Sequence, residues 1–324
     1  MAEFGTSTEA RPSLELLDRL ADEVGRVFHG KRSVIQLAVA ALLARGHILF
    51  EDVPGVGKTT LAHALAHALG LTFRRVQFTS DLLPSDVLGV SVYHPASGTF
   101  EVRHGPIFTQ VLLADEINRA PPRTQSGLLQ AMQEGTITID DQTAALPRPF
   151  LVLATQNPLE HYGTYPLPES QLDRFLMRLT IGYPEADAER RILLDSRALE
   201  PGFDRIQTVL GPDEVLRLQD AVDNVRADEA LVDYLMEIVQ RTRESALFRL
   251  GVSPRGSVAL FRAARAYAMT RGRDYLVPDD IRDVVVPCLA HRLLPAGMAA
   301  ATLDAHEQAA SLLRTILDEV EVPV

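Results

Sequence analysis

The segment Asp52-Val53-Pro54-Gly55-Val56-Gly57-Lys58-Thr59-Thr60 constrains this chain most, because it lies between a short apolar run at 47–50 and a helical pattern that begins near Lys58. Leu61, Leu65, Ala68 and Leu69 share one face of that helix, and Gly70 ends it. A strand that turns through two glycines into a helix aims successive backbone N–H groups inward, beneath the positive end of the helix dipole. Such a turn cradles phosphate, and Pro54, Gly55, Val56, Gly57, Lys58, Thr59 and Thr60 would line it. Lys58 would reach the β- and γ-phosphates of a nucleotide, and the Thr59 hydroxyl would hold Mg²⁺. Asp52 stands where the motif's first glycine is expected, which restricts the turn but spares its phosphate-facing part.

Further runs of strand length fall at 73–78, 111–114, 150–154 and 175–181, separated by helical or turn-rich sequence. Strands that alternate with helices imply right-handed crossovers and a parallel sheet covered on both faces. Upstream, Leu16, Leu17, Leu20, Val24 and Val27, then Ile35, Val39, Leu42 and Leu43, recur at helical steps. After Tyr183-Pro184 the pattern is helical throughout, at 188–194, 215–225, 231–239, 257–267 and 281–294. The reading is therefore a tail over 1–13, an α/β core over 14–183 with helices on both faces of a parallel sheet, and an all-α domain over 184–324. Residues 3–8 show no pattern and read as a tail or cloning scar.

Two more sites carry chemistry. Val111-Leu112-Leu113-Ala114 runs into Asp115-Glu116, and alternation along a strand lets adjacent acids at its end take separate tasks. Asp115 would join the Mg²⁺ shell, and Glu116 would orient and deprotonate the attacking water. The run at 150–154 continues into Thr155-Gln156-Asn157-Pro158, where Asn157 can hold the γ-phosphate or the water.

These stretches, with Ile117-Asn118-Arg119-Ala120-Pro121-Pro122 after the acids and Tyr165-Pro166-Leu167-Pro168-Glu169-Ser170-Gln171-Leu172-Asp173-Arg174-Phe175, resemble the MoxR family of AAA+ ATPases. The likeness extends over about residues 20–294. It implies a P-loop core followed by a helical lid, an oligomer expected to be a hexameric ring, and chaperone-like work. That work is the remodelling or maturation of client proteins, including metal cofactor insertion, often with partners that carry von Willebrand factor A domains. Asn157 then falls on the first sensor position. Arg174 falls on the arginine finger that enters a neighbouring subunit's nucleotide site, with Arg178 as its substitute. Arg255, in Gly251-Val252-Ser253-Pro254-Arg255-Gly256, falls on the second sensor, leaning from the lid onto the γ-phosphate. Phe28 and Gly30, in Val27-Phe28-His29-Gly30, lie where the family contacts adenine, although the same apolar residues could simply pack the first helix.

Two hairpin patterns, at about 88–105 and 135–149, correspond in the family to the helix-2 insert and the pre-sensor-1 hairpin. Both are elements that touch clients, though hairpins are also ordinary decoration. Related AAA+ proteins with the same insert move on DNA, so a nucleic-acid-stimulated translocase is the competing reading. Against it, 43 acidic and 32 basic side chains leave a formal charge of −11, and the basic pairs are scattered. His63 and His67 lie four apart but off the apolar stripe, and read as a solvated face rather than a metal pair. Cys288 is the only cysteine, which leaves no internal disulfide and fits a reducing compartment. The longest apolar stretch, 34–44, is interrupted by Gln36 and is far shorter than the roughly 18–20 residues that cross a bilayer. No export signal is evident, so a cytoplasmic location is expected.

Overall fold

The computed structural model describes residues 10–157, 163–194, 202–298 and 303–323. Helix α1 (Ala10–Gly25) takes in four residues read as tail, and α2 (Arg32–Leu43) follows it. Then come β1 (Ile48–Glu51), α3 (Lys58–Ala68), β2 (Phe73–Gln77) and α4 (Pro84–Leu88). Strands β3 (Gly89–His94) and β4 (Thr99–His104) form a hairpin ahead of β5 (Val111–Asp115) and α5 (Pro122–Glu134). Strands β6 (Thr136–Ile139) and β7 (Gln142–Ala145) form a second hairpin, followed by β8 (Leu151–Gln156), α6 (Glu169–Leu172) and β9 (Met177–Leu179).

The five strands expected from apolar runs form one parallel sheet in the order β2-β5-β8-β1-β9. The central strands are buried and apolar up to their polar C-terminal ends because helices cover both of their faces, whereas β2 at one edge exposes Arg74 and Arg75, which discourages further pairing. The register sets Glu51 beside Gln156 and Gln77 beside Asp115, so the phosphate loop, the acids and Asn157 all leave the same C-terminal edge.

The second part holds α7 (Ala186–Leu194), α8 (Pro212–Ala221), α9 (Glu229–Glu244), α10 (Pro254–Thr270), α11 (Pro278–Leu289) and α12 (Leu303–Glu319). It is not purely helical, because β10 (Phe248–Leu250) and β11 (Leu294–Pro295) pair antiparallel between its helices. The boundary near 183 is also less clean than the change of periodicity suggests. Val34, Ile35, Ala38 and Val39 of α2 share one buried cluster with Leu260, Ala264, Ile281 and Val285 of the helical part and with Ile48 and Leu153 of the sheet. A second cluster fills the other face of the sheet, around Leu49, Phe78, Leu112, Leu128, Val152 and Phe175. Burying a leucine-sized side chain stabilises by about 1.5–3 kcal/mol, so the residues of α1 and α2 in this cluster bind the helical part to the core.

Candidate functional site

Gly55 and Gly57 have φ of +88° and +96°, the left-handed region that admits glycine readily. Gly57 is the N-cap of α3, and the loop from Pro54 to Thr60 is open to solvent or half-buried. Lys58 Nζ donates to the carbonyl oxygens of Asp52 at 2.6 Å and Val53 at 3.1 Å. Burial pulls the Lys58 ammonium below its ordinary pKa, while the charges of Asp52, Asp115 and Glu116 pull it back. The loop lysine and both acids therefore share one electrostatic neighbourhood.

Asp52 does more than replace a glycine. Its Oδ1 accepts the Val53 N–H at 2.8 Å, and its Oδ2 accepts the N–H groups of Ile181 and Gly182, each at 2.7 Å. The loop's first residue is thereby tied to the segment that leaves β9 for the helical part. No periodicity signals this contact; the one clue was the break in the glycine pattern.

Asp115 and Glu116 are half-buried and held from several sides. Thr155 Oγ1 donates to Asp115 Oδ1 at 2.6 Å and accepts the Glu116 N–H at 2.8 Å. Arg75 binds Asp115 Oδ2 through Nη2 at 2.5 Å and Nε at 3.1 Å. Glu116 Oε2 receives Gln77 Nε2 at 2.8 Å and Arg119 Nε at 2.9 Å. Glu116 itself has φ +57°, a backbone state uncommon for a non-glycine residue and concentrated at functional sites. Thr155, Arg75 and Gln77 were not assigned from sequence, because their place beside the acids follows from strand order rather than spacing; Arg119 was missed although its i,i+3 spacing from Glu116 was there to read. Asn157 directly follows β8 at the same edge.

Among the described residues no group of three or more His, Cys, Asp or Glu could hold a metal. The hydroxyl of Thr59 and the carboxylate of Asp115 are hard oxygen donors, too few for a dedicated cage. They fit Mg²⁺, which keeps waters and shares phosphate oxygens. His63 is not a solvated residue as its spacing suggested. Its ring packs against Phe73 at 4.7 Å and Phe203 at 3.8 Å, and aromatic packing rather than a metal accounts for it.

Phe28 is buried to 3% exposure and joins the core around α1. Its ring also faces the loop: a Cβ on Gly57 would stand 3.4 Å from it, and one on Gly30 would collide with it at 2.3 Å. Phe28 and Gly30, with Ile35, Pro184 and Ala188, line a cavity of about 420 Å³. That is within the 300–1,000 Å³ or so usual for small ligands. Phe28 thus packs the first helix and also walls a cavity.

Arg174 lies on the approach to β9, whose first residue Met177 pairs with Ile48 at the start of β1. It therefore sits at the N-terminal edge of the sheet, opposite its own phosphate loop, half-exposed, its guanidinium without a partner among the described residues. Arg178 is no substitute finger, since it is 10% exposed and ion-paired to Glu51. Glu51 also accepts His306 Nδ1 at 2.9 Å, closing a buried cluster between β1, β9 and α12. Arg255 is exposed and opens α10 after the Ser253 cap, next to Gly256, where an added Cβ would stand 3.5 Å from Cδ of Arg292, the residue that grips both neighbours of Arg174.

Residues 47–177 match the family described as "ATPase family associated with various cellular activities (AAA)", and residues 240–315 match an AAA lid domain. The chain is 49% identical to the uncharacterized protein YeaC of Bacillus subtilis over 311 residues, 95% of each chain. It is 42% identical to chaperone MoxR1 of Mycobacterium tuberculosis over 287 residues, 86% of this chain and 75% of that one. A crystal structure of a candidate ATPase from Cytophaga hutchinsonii superimposes with a TM-score of 0.86 at 36% identity, covering 98% of this chain and 97% of the other.

Proposed function

The chain belongs to the MoxR family of AAA+ ATPases, and on that premise we propose that it hydrolyses ATP with Mg²⁺ in a ring of its own copies. The observation that carries this reading is the meeting of the glycine loop, Lys58, Asp115 and Glu116 at one sheet edge. Inward N–H groups and Lys58 would bind the phosphates, and the cavity beside Phe28 and Gly30 would take the adenine. Mg²⁺, held by Thr59 and Asp115, would supply charge neutralisation at the phosphates. Glu116, aimed by Gln77 and Arg119, would orient the attacking water and accept its proton, while Asn157 would hold the water or the γ-phosphate.

Arg174 and Arg255 complete the proposal. Arg174 stands at the edge away from its own loop, so the triphosphate it serves would be that of an adjoining copy, and Arg255 would act as the second sensor from the first turn of α10. A planar guanidinium suits the charge that spreads over phosphoryl oxygens in the transition state. The energy released would drive chaperone work on client proteins, the exposed Tyr93 and Phe100 of the β3–β4 hairpin being a suitable contact. Metal cofactor insertion and von Willebrand factor A partners are the finer form of this proposal, and no helix among the described residues is long and apolar enough to cross a membrane. The test is Glu116→Gln: nucleotide affinity should hold while turnover falls by about a hundredfold or more. Turnover equal to the parent's would remove Glu116 as the base.

A further inference from the structure

Arg292 has a side chain only 3% exposed, and it reaches from the helical part into the core. Nη1 donates to the Asp173 carbonyl at 3.0 Å and ion-pairs with the Asp173 carboxylate. Nη2 donates to the Phe175 carbonyl at 2.6 Å, and Nε to the Cys288 carbonyl at 2.8 Å. His291 adds a second donor to the Phe175 carbonyl, Nε2 at 3.0 Å. Asp173 and Phe175 are the residues on either side of Arg174. The core holds this stretch through its N–H groups, Asp173 on the Glu169 carbonyl at 3.0 Å, Arg174 on Gln171 at 3.2 Å, Phe175 on Leu172 at 3.0 Å and Leu176 on His47 at 2.8 Å, and among the described residues it leaves the Asp173 and Phe175 carbonyls to the helical part. Against the other side of Arg292, a Cβ on Gly256 would stand 3.5 Å from its Cδ, so the first turn of α10 rests on the clamp.

We propose that Arg292 is a positioning residue for Arg174: a lid guanidinium that fixes the backbone on both sides of the finger and so sets its aim. The inference rests on reading Arg174 as a finger that acts on a neighbouring copy. A lysine could not replace the clamp, because a point charge cannot span two carbonyls and a carboxylate as a planar fork does. A displacement of about 1 Å in a catalytic group can cost about a hundredfold in rate. The finger's aim therefore follows the lid, although the core carries it.

Mixed assemblies test this. Arg292→Lys keeps the charge and loses the fork; Asp173→Asn weakens one anchor, leaves the carbonyl contacts, and decides the matter if the first variant does not fold. Each alone should lower turnover by about ten- to a hundredfold with affinity for a fluorescent ATP analogue unchanged. Each should regain turnover when co-expressed with Glu116→Gln subunits, whose own site is dead but whose Arg174 is correctly aimed. Arg174→Ala co-expressed with Glu116→Gln is the control. Recovery in the control without recovery in the clamp variants overturns the proposal, as does parental turnover in both variants alone. A control that does not recover strikes at the reading of Arg174 itself, and the proposal falls with it.

Discussion

His47 shows how one buried side chain sets a pH limit. Its Nδ1 accepts the Val152 N–H at 3.0 Å, so the proton must sit on Nε2, which donates to the Met132 carbonyl at 3.0 Å. Full burial lowers its pKa from 6.5 to about 4, against a small opposing pull from the Met132 carbonyl. The unfolded chain takes up a proton near pH 6.5 and the folded chain does not until about 4, so stability falls as pH drops through that window. Urea unfolding should show a loss of about 2 kcal/mol between pH 7 and pH 5 that is absent in His47→Asn. Thr155 is the second test at this scale. Thr155→Val keeps the shape but strips the donor from Asp115 and leaves the Glu116 N–H without its acceptor, a penalty of about 1–3 kcal/mol. We expect kcat to fall about tenfold or more with KM little changed, measured by steady-state turnover.

At the scale of elements, the turn into α3 depends on Gly57. An alanine there would hold φ +96° with a methyl 3.4 Å from the Phe28 ring, at a cost of about 1–3 kcal/mol and with weaker ATP binding. Gly25→Ala is the contrast, since nothing lies within 4 Å of its added methyl; calorimetry should find it neutral or stabilising by about 0.5–1 kcal/mol. The elements themselves were largely legible. The runs containing Leu49, Leu113 and Leu153 announced buried strands, and Asn, Asp and glycine positions announced their ends. The pair β10–β11, with three and two residues, is too short for any periodicity to signal. The site was legible where one segment carries it, as in the loop and the acidic pair. It was not where contacts join distant segments: Arg75 reaches Asp115 only because β2 neighbours β5, and Asp52 reaches Ile181 only because the loop lies beside the exit from β9.

Over the whole molecule, one buried cluster joins α1, α2, the sheet and the lid, so the parts should melt together. Calorimetry should record a single transition, and the piece 1–183 alone should aggregate, because it would bare Val34, Ile35 and Val39. The Glu51 cluster adds an acid limit to that joint. Burial raises the Glu51 pKa, but the His306 hydrogen bond and the charges of His306 and Arg178 outweigh it, leaving the value below the usual carboxylate range. Its contribution is thus present above about pH 4.5 and lost as pH falls through the folded value; the acid unfolding curve of Glu51→Gln should lack that component.

Cys288 closes the account of this joint. It is fully buried in α11 beside Arg292, and burial pushes its thiol up to about 12, so a sulfhydryl dye meets neither a surface nor a thiolate. The chain has no other cysteine and no tryptophan. Its labelling rate is therefore a native stopwatch, ticking only when α11 parts from its neighbours, and it can time each nucleotide's grip without any engineered reporter.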